Sequence, residues 1–150
     1  MERKTGIHTP GPWRWEFNRK NRSIQLVGGR PQFDKTVMDF ERWGMGGSCP
    51  RFNEKISGNE LNIMTRVSDR KDWIAPFEGR AHHVEWCADV VHPDARLIAA
   101  APSLLAALEA IEPFLPVTTA ADGGAAAYST HVRAADLVRA AIAAAKGSAA

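Results

Sequence analysis

The stretch "HPDARLIAAAPSLLAALEAIEPF", residues 92–114, decides the fold class, because the period of the chain changes there. Apolar residues stand at 97, 98, 101, 104, 105, 108 and 111, the three-four spacing of one helix face. Pro102 lies inside the pattern. An interior proline removes a backbone bond and costs about 3 kcal/mol. The prediction is a short helix over 93–101, a kink or break, and a second helix to about residue 112. Pro93 suits a first helical turn and Pro113 a stop.

Downstream, "VTTAADGGAAAY" reads as a small-residue flexible loop near 116–128. "STHVRAADLVRAAIAAAKG" reads as a last helix, capped by Ser129 or Thr130 and ended by Gly147, with Lys146 favoured by the C-terminal dipole. Its apolar stripe is Val132, Ala135, Val138 and Ile142. Alanine-rich faces approach closely, so the two helical segments are expected to form an antiparallel hairpin.

Upstream the period is two. "WRWEF" alternates Trp13, Trp15 and Phe17 against Arg14 and Glu16. "SIQLV" puts Ile24 and Leu26 on one face, and Gly28-Gly29 reads as a hairpin turn. "TVMDFERW" sets Met38 and Phe40 against Val37. "ELNIMTRV" alternates Leu61, Ile63, Thr65 and Val67 and is the cleanest strand pattern. Between them "GMGGSCPRFNEKISGN" reads as a long loop, and long loops in compact domains are often functional. At the start, "HTPGPW" makes a rigid corner. Pro10 presets φ and Gly11 tolerates φ > 0, which predicts a type II turn over 9–12 with Trp13 opening a strand. The expectation is an α+β protein of one domain, 1–150: an antiparallel sheet over about 12–91 packed against a C-terminal helical hairpin over 92–150.

No run approaches the roughly 18 apolar residues of a membrane span, and no secretory signal follows Met1. Cys49 and Cys87 read as reduced thiols in a cytoplasm. Residues 1–80 hold 15 Lys+Arg and 10 Asp+Glu, 15 − 10 = +5; residues 81–150 hold 4 and 7, 4 − 7 = −3; together they give the net +2. A basic first half suits an anionic partner.

Catalytic patterns are weak. In "HHVEWCADVVH", His83 and Cys87 stand at i,i+4 and on a helix could hold zinc with Cys49. The segment also alternates Val84, Trp86, Ala88 and Val90, a strand pattern, and lacks CxxC or HExxH spacing. No nucleophile signature surrounds either cysteine. "GMGG" lacks the Lys-Ser/Thr of a phosphate loop. No enzyme, metal or cofactor is expected.

Binding is better supported. Trp13 and Trp15 flank Arg14, Trp43 follows Arg42, and Trp73 follows Lys71-Asp72. Indole and guanidinium together can stack a base and grip a phosphate. "NRKNR", residues 18–22, is a basic turn between two strand patterns. The candidate ligand site is Arg19, Lys20, Arg22, Arg42, Trp43 and Arg51, with His82 or His83 contributing. Alternation offers the competing reading for Trp13 and Trp15: core filling with the arginines in water.

"HTPGPW" (8–13) and "DARLIAAAPSLLAAL" (94–108) together resemble a group of small bacteriophage and prophage proteins that carry both motifs around a variable β-rich middle. The resemblance implies a phage origin and a β-plus-helix fold, and no activity. Its corner and helix read as scaffold, with Trp13 against Leu97 and Ile98. Small phage proteins of this design often act by binding rather than by catalysis, and phages encode such proteins to counter host defences. The expected function is therefore anti-defence: a homo-oligomer in the host cytoplasm that sequesters a small anionic ligand of nucleotide type. The alternative is a protein- or nucleic-acid-binding module for phage replication or regulation, or an inhibitor of a host defence protein. No membrane partner is expected.

Overall fold

A computed structural model describes residues 8–54, 62–79, 82, 88–115 and 130–147. It divides into two compact units, Met1–Ile98 and Ala99–Ala150. The class is mixed α+β, as expected.

In the first unit, β1 (Trp13–Asn18), β2 (Ser23–Gly28), β3 (Lys35–Trp43), β4 (Gly47–Asn53) and β5 (Met64–Arg66) form an antiparallel sheet in sequence order. Two 3-10 turns, Val67–Asp69 and Lys71–Trp73, lead to β6 (Ile74–Pro76), which pairs antiparallel with β7 (Ala88–Val90). Helix α1 (Pro93–Ile111) starts here and continues into the second unit.

Directly opposed residues of an antiparallel pair project to the same side. The register therefore sorts the sheet into two faces. Trp13, Trp15, Phe17, Ile24, Leu26, Met38, Phe40, Pro50 and Phe52 share an apolar face. Arg14, Glu16, Gln25, Asp39, Glu41, Cys49, Arg51 and Arg66 share a charged one. A bulge between Leu26 and Val27 shifts the β2–β3 register, and Val37, beside it, is buried.

One end of the apolar face is closed. Leu26, Phe52 and Trp73 are buried there with His92. The Phe52 ring stacks on His92 at 4.8 Å between centroids, and Trp73 meets His92 edge-on at 4.5 Å. His92 is also the cap of α1. Its carbonyl accepts the Arg96 N–H at 3.0 Å, and its Nδ1 accepts the Asp94 N–H at 3.2 Å. Its Nε2 then donates to the Asn53 carbonyl at 3.0 Å, so these partners assign a neutral ring with its proton on Nε2.

The two motifs of the resemblance meet at this point. The Thr9 N–H donates to Asp94 Oδ1 at 2.6 Å and the Thr9 hydroxyl to Oδ2 at 2.7 Å, both groups buried. Trp13 Nε1 donates to the Thr9 carbonyl at 2.9 Å. Gly28 lets this corner lie on the sheet: a Cβ there would stand 2.6 Å from the Pro10 carbonyl oxygen and 2.9 Å from Trp13 Cδ1.

Several local expectations are corrected. Gly11 lacks the positive φ of a type II turn, and the Gly11–Pro12 peptide is cis. Gly28-Gly29 is no two-residue hairpin. Gly28 ends β2 and a loop over 29–34 leads to β3, because the Gly28 position is taken up by the corner. The long glycine loop is mostly strand β4, reached by a tight turn over 44–46 in which Gly44 and Gly46 have positive φ. Pro50 fits β4 because β5 pairs only with Arg51, Phe52 and Asn53, so at Pro50 that side of the strand needs no donor. The cleanest alternation yields only three strand residues. Val67 already enters a 3-10 turn, and Leu61 lies outside the described residues.

In the second unit α1 runs unbroken through the expected break at Pro102. One proline removes one donor from a 19-residue helix, the ladder resumes beyond it, and Pro102 itself is exposed. A 3-10 turn, Glu112–Phe114, follows, and then α2 (Thr130–Ala145). Arg139 Nη2 donates to the Leu115 carbonyl at 3.3 Å, and Lys146 Nζ meets Glu109 Oε1 at 2.6 Å. Contacts that run forward along α2 and backward along the preceding chain are those of an antiparallel pair. The α2 stripe is as expected: Ala135 and Ile142 are buried, Val132 and Val138 half-buried. Gly147 ends the helix with φ +71°. The flexible-loop expectation for 116–128 lies outside the described residues. By length and composition Pro93–Phe114 (mean hydropathy 1.5 over its best window) reaches the measure of a membrane span, which no run was expected to approach; core helices of soluble proteins pass the same measure.

Candidate functional site

A meander returns the β1–β2 and β3–β4 turns to the same end of the sheet. The first is the basic turn. Asn18 Oδ1 accepts the Asn21 N–H at 3.0 Å, Arg22 adopts φ +53°, and Arg19, Lys20 and Arg22 all stand exposed. The second is the glycine turn, with Met45 exposed at its tip.

Between these turns the apolar face is open. Phe17 opposes Ile24 and Phe40 opposes Pro50, while the Gln25–Asp39 register sets Ile24 beside Phe40. Trp15 lies next to Phe17 along β1. Trp15 is 57% exposed, Phe17 62%, Phe40 45% and Ile24 43%. Arg42 follows Phe40 on the same face, opposite Ser48, and is exposed.

The charged face is built differently. Arg51 holds Asp39 through two bonds, at 2.8 and 2.6 Å, and Arg66 holds Glu41 at 2.5 and 2.9 Å. Arg14 pairs with Glu16 at 2.9 Å and with Asp34. The hydrogen bond from Arg66 holds the Glu41 carboxyl below its ordinary range, and Asp39 raises Arg51. Below this sheet, Arg70 pairs with Glu54 and Asp72 and lies 4.5 Å over the Trp73 ring. An incoming anion would have to displace a carboxylate from each of these arginines. Arg19, Lys20, Arg22 and Arg42 make no ion pair among the described residues.

The expected site residues thus fall in three groups. Arg19, Lys20 and Arg22 lie in the β1–β2 turn, at the end of the sheet where Arg42 stands on the apolar face. Arg51 lies on the other face, bonded to Asp39. Trp43 ends β3 opposite Gly47, His82 is exposed away from the sheet's strands, and His83 lies outside the described residues. Cys49 is half-buried with Sγ 3.6 Å from Ser68 Oγ, and Cys87 lies outside the described residues. No cluster of three metal-ligating side chains occurs among the described residues. Trp15, Phe17 and Phe40 were absent from the candidate list, because alternation marked them as core. The signal that could have found them is Arg42, two residues after Phe40 on the same alternating side.

A protein-family model described as Salmonella phage P22 protein Y8K6 matches residues 1–149. No curated protein and no solved structure matches.

Proposed function

The chain belongs to this phage family, and from that premise we propose a non-catalytic binding protein whose ligand is a nucleotide-type anion. One observation carries the reading. Four cations that make no ion pair among the described residues stand at the same end of the sheet as exposed aromatic rings, whereas the arginines on the opposite face are all paired. Guanidinium and ammonium groups take phosphates, and rings take bases. In the infected cell such a protein, acting as a homo-oligomer in the cytoplasm, would counter host defence by removing a nucleotide signal. The same surface would also serve the phage's own nucleic acid, a use that the openness of the face favours.

Thermal-shift and calorimetric screening of the whole chain against cyclic dinucleotides, ADP-ribose derivatives and short DNA tests the reading. A ligand should raise stability, and Arg42→Ala should weaken its binding by about 1–3 kcal/mol with the fold intact. Unchanged affinity in Arg42→Ala and in the combined Arg19→Ala, Lys20→Ala, Arg22→Ala variant would place the site elsewhere.

A further inference from the structure

We propose that the ligand is a single-stranded polynucleotide laid across the open face of the five-stranded sheet; this rests on the binding reading above and names its ligand. Small-ligand sites are concave and bury about 70–90% of the ligand. Here the rings sit on strands and are themselves roughly half in water, so a lone nucleotide on Phe17 would stay mostly solvated. A strand gains from the same geometry, because it meets several rings at once. Trp15 and Phe17, two residues apart on β1, stand about 6.7 Å apart, and β1 and β3 lie about 9.6 Å apart across the sheet. Each ring offers a stacking platform to a different base, and stacking accepts any sequence.

Charge fits the same occupant. Within β1–β4 the apolar face carries two charged residues, Lys35 and Arg42, both cations. The carboxylates of those strands, Glu16, Asp39 and Glu41, are all on the other face and already paired. A polyanion crossing the apolar face therefore meets no fixed negative charge from these strands, and at its end meets Arg19, Lys20, Arg22 and Arg42. A duplex gains nothing from the rings, since its bases are already stacked.

Fluorescence anisotropy of the full chain with a labelled oligo-dT of about 12 nucleotides tests this. With four phosphate contacts on a single strand, affinity should fall about fifty-fold between about 50 and 200 mM salt. Trp15→Ala and Phe17→Ala should each weaken binding about 5- to 160-fold, and Phe17→Trp should retain it. Both positions are exposed, so melting curves should be unchanged. If dTMP, a cyclic dinucleotide or the matching duplex binds as tightly as the oligomer, the ligand class is wrong while the binding reading stands. If none of them binds, both fall. If light scattering shows a dimer that Phe17→Ala dissociates while oligomer affinity is unchanged, the face is a self-association surface and the proposal is overturned.

Discussion

Thr9 sends two donors to one buried carboxylate 85 positions away, and this bond joins the N-terminal corner to the start of α1. A buried carboxylate is costly unless it is well hydrogen-bonded. Here the Thr9 N–H and hydroxyl supply those bonds. Thr9→Val keeps the volume and loses the hydroxyl bond, so it should destabilise the protein by about 1.5–3 kcal/mol, while Thr9→Ser should retain most of the stability. Denaturant midpoints read the difference, and a valine variant as stable as the parent contradicts the role assigned to the bond. Nothing local in the sequence announces this contact. The resemblance singles out both motifs, but a carboxylate at the second helical position looks the same whether it faces water or a threonine. His92 is similar: its role as cap and ring partner depends on Asn53 and Phe52, far away in sequence.

At the scale of elements, the features read correctly are those that depend on neighbours in the chain. The α2 stripe, its glycine stop and the basic turn after β1 all follow from local spacing and turn chemistry. The features misread depend on a partner strand. Cys49 to Phe52 looked like loop because of Gly46, Gly47 and Pro50, yet they pair with β3. Residues 60–67 alternate cleanly, but β5 forms only beside Arg51, Phe52 and Asn53. Pro102 was given more weight than one missing bond carries in a long helix. The link between Glu54, beyond β4, and Arg70, before β6, makes a testable contribution at this scale. The hydrogen bond from Arg70 holds the Glu54 carboxyl below its ordinary value of 4.5. A lowered folded value means stability that is present above pH 4.5 and is lost as pH falls and the folded group takes its proton. The stability difference between the parent and Glu54→Gln should therefore be largest near neutrality and shrink below that pH. A difference that stays flat from about pH 7 to about pH 3 contradicts it.

Across the whole molecule, charge is divided as +5 over residues 1–80 and −3 over 81–150. The sheet refines that division: its paired arginines sit on one face, while Arg19, Lys20, Arg22 and Arg42, which make no ion pair among the described residues, stand at one end. The basic turn was legible as an exposed turn, since five polar or basic residues between two strand patterns have no core to enter. The aromatic half was not, because period-two alternation says which residues share a face and is silent on whether anything covers that face. The proposal that unites these scales is a nucleotide strand on the open face. Photo-crosslinking of the full chain to a 4-thiouridine oligomer, followed by mass-spectrometric mapping, tests it most directly. Adducts at Trp15, Phe17 or Phe40 are expected; adducts confined to α2 or to the charged face, or none at all, would contradict the proposal.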